Sequence, residues 1–320
     1  MVGLILAAWL ANPAMAQSED YPSRPVKLVV SYGAGGSLDL IARLLATELS
    51  RQLGQSFLVE NVPGAGGTLG FRRVLAAPPD GYTLLVGVTS EVVMAPIANR
   101  QVGYKASDLD AVAKLGTSGL VLVGRPTLPA NNLQELLQLA KAQPGTLRYG
   151  TSGAGSLQHL AMEVAKRASG VDIPLVPYKS ASQIVTDLAG GHVDLAVVGL
   201  PSVLPFIRDG RIKAFGVMSR MRDPGDKSIP SFAETVGRND IDFKLWTGIF
   251  APKGTPKPIV QKLHAAISAA LRQPELMRRY AEIGVALSEP LSTSQFSEYV
   301  LSQEREMRLA FENSGIKMDR

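Results

Sequence analysis

Between residues 27 and 49 the chain reads KLVVSYGAGGSLDLIARLLATEL, and the spacing of its apolar positions changes once along that stretch. Residues 27–31 are a short β-branched run, whereas Leu38, Ile41, Leu45 and Leu49 recur at helical spacing. The pattern predicts a strand, a glycine turn and an amphipathic helix in succession, the first half of a βαβ unit. The helix is expected over 38–53, with Gly54 as its stop. A strand at 57–60, a glycine-rich loop at 61–68 and a helix at 69–76 follow. After the turn Pro78-Pro79-Asp80-Gly81, a strand at 83–88 ends in Thr89-Ser90-Glu91.

The apolar run GLVLVGR at 119–125 reads as a strand passing into a second lobe. Asn131-Asn132 caps a helix at 133–142, and a strand at 147–149 feeds a small-residue turn at 150–156 and a helix at 157–168. The strand, turn and helix order of the first unit is thereby repeated. Further strands are expected at 175–177, 193–198 and 214–218, with helices at 183–189 and 201–210 and a polar loop at 220–240. Residues 245–251 read as a strand returning to the first lobe, followed by helices at 256–271, 274–283 and 292–312.

The two small-residue turns set the candidate chemistry. Gly33, Gly35 and Gly36 allow the backbone close to a ligand, Ser37 is placed to cap the helix, and the free amides of a first helical turn favour an anion. Asp39 suits the helix dipole. Two such turns in separate lobes can face each other across a cleft. A tight α/β connection without a ligand has the same signature, and a dinucleotide site competes, since Glu60 imitates the ribose-binding acid. That fingerprint requires glycine where Leu38 stands, and no Gly-Lys-Ser or Gly-Lys-Thr of a P-loop occurs.

The net charge of +5 is scattered, without the dense basic run that nucleic acid demands, so no nucleic-acid partner is expected. Cysteine is absent, which removes disulfides, thiolate metal sites and a cysteine nucleophile. The three histidines, His159, His192 and His264, lack metal-ligand spacing, so neither a metal nor a cofactor is expected. Ser156 and His159 imitate a nucleophile with its base, but no Gly-x-Ser-x-Gly elbow surrounds the serine. Donors at strand ends with few acids or bases describe a binder, not an enzyme. At the N-terminus, an apolar run at 2–10 and Ala14-Met15-Ala16 predict a signal peptide at 1–16 and export to the periplasm.

In the motifs YPSRPVKLVVSYGAGGSLDLIAR, ENVPGAGGTLG, PPDGYTLL, YGTSGAGSLQHLAME, VPYKSASQIVTDLAGGHVDL and GIFAPKGTPKPIV, taken in order, the chain resembles the Bug receptors of tripartite tricarboxylate transporters. The resemblance implies an α/β, two-lobed periplasmic binding protein of type II with crossover strands and a ligand cleft between the lobes. Lobe 1 would comprise 21–122 and 243–320, and lobe 2 residues 123–242. It implies capture of a small carboxylate by two pincers, one at 32–39 (Tyr32, Gly35, Gly36, Ser37, Asp39) and one at 151–156 with His159 (Thr151, Gly153, Gly155, Ser156). Thr89, Ser90, Tyr178 and Ser180 would line the remainder. Membrane subunits of a transporter are the implied partners, and a monomer is the default; an exported sensor without transport is the alternative. Two positions depart from the family's pattern: Gly33-Ala34 replaces the usual prolines, and Ser180 a usual glycine.

Overall fold

A computed structural model describes residues 21–238 and 241–316; the expected leader and its cleavage site lie outside the described residues. Strand β1 (Val26–Val30) runs through the glycine turn into α1 (Ser37–Leu53), and β2 (Phe57–Asn61), α2 (Thr68–Leu75) and β3 (Thr83–Val88) complete the first winding. Both β2 and β3 pair with β1 in parallel, as expected of βαβ units. A wide helical turn (Ser90–Met94) and a single α turn (Ala95–Ala98) then lead toward β4 (Leu109–Gly124).

Strand β4 joins the two halves. Its first part pairs antiparallel with β9 (Lys244–Pro252), from Leu109 opposite Pro252 to Gly119 opposite Lys244. Its last residues pair with β7 (Leu195–Gly199) on one side and β8 (Lys213–Val217) on the other. Between these come α3 (Leu133–Ala142), β5 (Tyr149–Thr151), α4 (Leu157–Ser169), β6 (Leu175–Pro177), α5 (Ala181–Ala189) and α6 (Leu200–Arg208). After α7 (Phe232–Val236) and β9 the chain ends in α8 (Lys257–Leu271), α9 (Pro274–Glu282), β10 (Ala286–Leu287) and α10 (Thr293–Ser314). The sheet order β2-β1-β3-β9-β4-β7-β5-β6 therefore places a parallel block on each side of two antiparallel crossover strands. This is the expected two-lobed α/β architecture.

Besides shifts of one or two residues at several element ends, three larger or structurally telling differences from the sequence expectation stand out. Strand β4 begins at Leu109, ten residues ahead of Gly119, because backbone pairing with β9 carries it through Asp110, Lys114 and Ser118, which break up the apolar run. Residues 220–240 contain α7, a short helix closed by a capping box between Ser231 and Glu234. Strand β5 is shifted to Tyr149–Thr151, because it is the backbone pairing with β6 and β7 that defines it.

Aromatic packing holds the crossover. Trp246 on β9 is fully buried and meets Phe296 and Tyr299 of α10 edge-on, with ring centroids 6.0 and 6.1 Å away. Gly248, two residues along, gives α10 its seat: a Cβ there would collide with Phe296 Cζ.

Candidate functional site

The loop between β1 and α1 is held from beneath. The Gly35 amide and Arg43 Nε both donate to Asp39 Oδ2, each at 2.9 Å, while the Asn61 side-chain amide donates to Asp39 Oδ1 and to the Tyr32 carbonyl, each at 3.0 Å. Burial raises the Asp39 pKa, but the hydrogen bonds from Arg43, Gly35 and Asn61 outweigh it and hold the carboxyl below its usual range. Asp39 thus shapes the loop, and its side chain is 3% exposed.

Ser37 does not cap its helix. Gly36 occupies the cap position in an extended conformation with no side-chain hydrogen bond, and Ser37 is the first helical residue. The Ser37 side chain is engaged across the cleft instead: its hydroxyl lies 2.6 Å from Ser202 Oγ on α6, and its amide donates to that oxygen at 2.9 Å.

The second turn is built more conventionally. Ser156 caps α4 by accepting from the His159 amide at 3.2 Å, and Thr151 Oγ1 donates to the Gly153 carbonyl at 3.2 Å. The Gly155 amide donates to His159 Nδ1 at 3.1 Å, which leaves the ring proton on Nε2. Burial pushes the His159 pKa below its ordinary value, against the pull of Glu163, so the ring is neutral at neutral pH. Across the cleft, the Leu157 amide at the start of α4 donates to Ser90 Oγ at 3.3 Å, and Ser90 donates to Gln158 Oε1 at 3.1 Å. Each half's helix therefore gives an N-terminal amide to a serine of the opposite half. Thr89 accepts from the Trp246 amide at 3.2 Å, which ties β3 to the crossover.

Between these contacts lies a cavity of about 50 Å³ whose walls come from both halves and from the crossover strands. Tyr32, Gly33, Gly36 and Ser37 form one wall, Ser152, Gln158, Ala181 and Gly199 the other, and Ser118, Leu245 and Thr247 the floor. Among the described residues, no charged side chain lines it. An outer cavity of about 400 Å³ opens at Tyr32, the 64–67 loop, residues 152–154 and Tyr178-Lys179. A third, of about 240 Å³, lies behind Gly155, Ser156 and His159. Tyr178 lines the outer cavity, with its hydroxyl on Asp187 at 2.9 Å; Ser180 caps α5 by accepting from the Gln183 amide at 3.3 Å.

Residues 41–310 match the family model described as tripartite tricarboxylate transporter family receptor. The chain belongs to that family. The receptor is 36% identical over 284 residues to a UPF0065 protein of Bordetella pertussis, covering 89% of this chain and 86% of the relative. Its fold superposes on the periplasmic binding protein BugD with a TM-score of 0.88 at 31% identity, covering 93% of this chain and 99% of BugD. Rpa4515 of R. palustris, solved with adipate, gives 0.87 at 31% identity and covers 93% of this chain and 99% of its own. MatC from Rhodopseudomonas palustris, solved with malate, gives 0.85 at 31%, with 91% and 99% coverage.

Gly33 and Ser180 face each other across the cleft: a Cβ at Gly33 would lie 3.1 Å from Ser180 Cβ. Several residues of the site escaped sequence reasoning. Ser118, Thr247 and Ser202 stand in no motif, and Gln158, although within the YGTSGAGSLQHLAME motif, carries no signal that singles it out; Ser118 and Thr247 are hydroxyls within the crossover strands. Glu91 is fully buried beneath Tyr32, next to the expected Thr89 and Ser90. Glu60 pairs with Lys27 at 3.1 Å and Arg73 at 3.6 Å, which engages the acid that a ribose would require. Among the described residues no cluster of three potential metal ligands occurs, and no helix is long and apolar enough to cross a membrane.

Proposed function

We propose that this receptor is exported and captures a small carboxylate between its lobes for delivery to the membrane subunits of a tripartite tricarboxylate transporter. The observation that carries the reading is the inner cavity, walled by glycine turns and hydroxyls from both halves and, among the described residues, free of charged side chains. Oriented amides and hydroxyls replace the hydration of a carboxylate without a counter-ion, and only a shut cleft presents the full set. Adipate in Rpa4515 and malate in MatC support the same ligand class. The residues assigned to the ligand are Tyr32, Gly36, Ser37 and Ser152 at the inner cavity, with Tyr178 and Gly153 at its mouth. Lobe 2 is taken as 123–242, with the crossover in β4 and β9.

A thermal-shift screen of the purified protein against mono-, di- and tricarboxylates and nicotinamide dinucleotides tests this. A ligand at a hundredfold excess over its Kd stabilises the folded state by about 2.7 kcal/mol. The expected result is a shift with one group of organic acids and none with dinucleotides. A shift with dinucleotides alone overturns the reading.

A further inference from the structure

The Tyr32 hydroxyl stands between two acceptors. It lies 3.1 Å from the Gly66 carbonyl and 3.1 Å from Glu91 Oε2, and a phenol has one proton to donate. The other Glu91 oxygen accepts from the Val88 amide at 2.9 Å, and the Glu91 carbonyl accepts from the Tyr104 hydroxyl at 2.8 Å. The carboxyl is wholly buried. The charged and titratable groups on the elements packed around it are engaged elsewhere. Arg72 on α2 donates to the Gln101 and Val102 carbonyls and Arg73 pairs with Glu60. On α4 His159 accepts from Gly155, Lys166 pairs with Glu163 and Arg167 donates to the Asn313 carbonyl, while Lys179 is exposed at the outer cavity. Helix α10, packed on the same turn, buries Met307 and Phe311 and keeps Arg305, Glu306 and Arg308 exposed.

The loop that Tyr32 holds is one of the parts of the first half that meet the second. Gly67 packs so closely that a Cβ there would be 2.9 Å from both Glu91 Cβ and Tyr32 Oη, in a backbone with φ +98°. Gly66 faces the opposite turn, where a Cβ on Gly153 would lie 3.3 Å from Gly66 Cα.

We propose that Glu91 is a proton-controlled positioning residue for the 64–67 loop. When the carboxyl is neutral, its proton goes to Tyr32 Oη, and the Tyr32 proton holds the Gly66 carbonyl. When it loses that proton to solvent, the Tyr32 proton turns to Glu91 Oε2 and the Gly66 carbonyl is released. Burial pushes the Glu91 pKa up to about 8, against hydrogen bonds from the Val88 and Glu91 amides and from Tyr32, so the exchange falls near neutral pH. The inference rests on the receptor reading only for its consequence, that the cleft rim loosens as pH rises.

The test uses the whole receptor labelled with 15N-glycine and 13C-glutamate, followed by NMR from about pH 6 to about pH 10. The Gly66 and Gly67 amide signals should shift together with a midpoint near 8, matching the Glu91 carboxyl carbon. In Glu91→Gln, whose amide can donate to Tyr32 while its carbonyl keeps the Val88 bond, the glycine signals should stay flat. In Tyr32→Phe, Glu91 should still titrate while Gly66 no longer follows. A glycine titration that survives in Glu91→Gln, or a Glu91 carbon that stays flat across the whole range because the carboxyl is already ionised, overturns the proposal. No ligand enters this measurement, so its failure leaves the receptor reading standing, and the converse also holds.

Discussion

Replacing Ser202 by alanine removes one oxygen from the second lobe and strands two groups of the first. The Ser37 amide loses its acceptor at 2.9 Å and the Ser37 hydroxyl loses its partner at 2.6 Å. A hydrogen bond of this kind contributes a net ~0.5–1.5 kcal/mol, so the pair is worth about 1–3 kcal/mol. With the lobes apart all of these groups meet water. The loss therefore falls on the closed state alone and lowers the closed-to-open ratio by about 5- to 150-fold. Because the chain has no native cysteine, single-molecule energy transfer between dyes on cysteines introduced at exposed Leu58 and Lys141 reads that ratio directly. Ser37→Ala on top of Ser202→Ala should add little, since both changes act on one contact. An unchanged ratio in Ser202→Ala, or additive losses in the double variant, would refute the reasoning.

Other perturbations bear on the parts that support the cleft. Asp39→Asn leaves three donors facing a neutral amide and should cost about 1–3 kcal/mol in urea unfolding. Because the Asp39 pKa is lowered in the folded state, its contribution is present above the usual carboxylate range and is lost as pH falls through the lowered value; the variant should lack that acid-side loss. Gly248→Ala drives a methyl into Phe296 and should destabilise by about 1–3 kcal/mol, with partial recovery when Phe296 is shortened to leucine. Ser180→Gly should weaken closure by opening a gap at Gly33, seen as a lower closed-to-open ratio in the same dye assay, and Gly33→Ala in that background should restore it.

Local regularities were readable in advance because they are written in local spacing. The change from strand to helix period at 33–37, the helix that follows the 150–156 turn and the returning strand around 245–251 appear where the apolar pattern places them, although β5 takes the first two residues of that turn. The motif resemblance carried the two-lobed arrangement further than periodicity alone. The start of β4 was less legible, since its ladder to β9 is made by backbone pairing that needs no apolar alternation. Helix α7, with only five residues, is too short to show a period.

What tertiary structure alone decided is the use to which each polar group is put. Ser37 looks like a helix cap, yet its hydroxyl is engaged by Ser202, 165 positions away; Ser90 reaches Gln158 across 68. Asp39 looks like a dipole partner at a helix start, and the folded chain also makes it the pin of its own loop. Glu91 carries no sequence signature, because its burial and its place beneath Tyr32 arise only when the third strand, the 64–67 loop and the C-terminal helix close around it. Residue type and spacing determined which backbone segments form and which groups are available. Which donor meets which acceptor depends on distances between segments far apart in the chain, and those exist only once the two halves have packed.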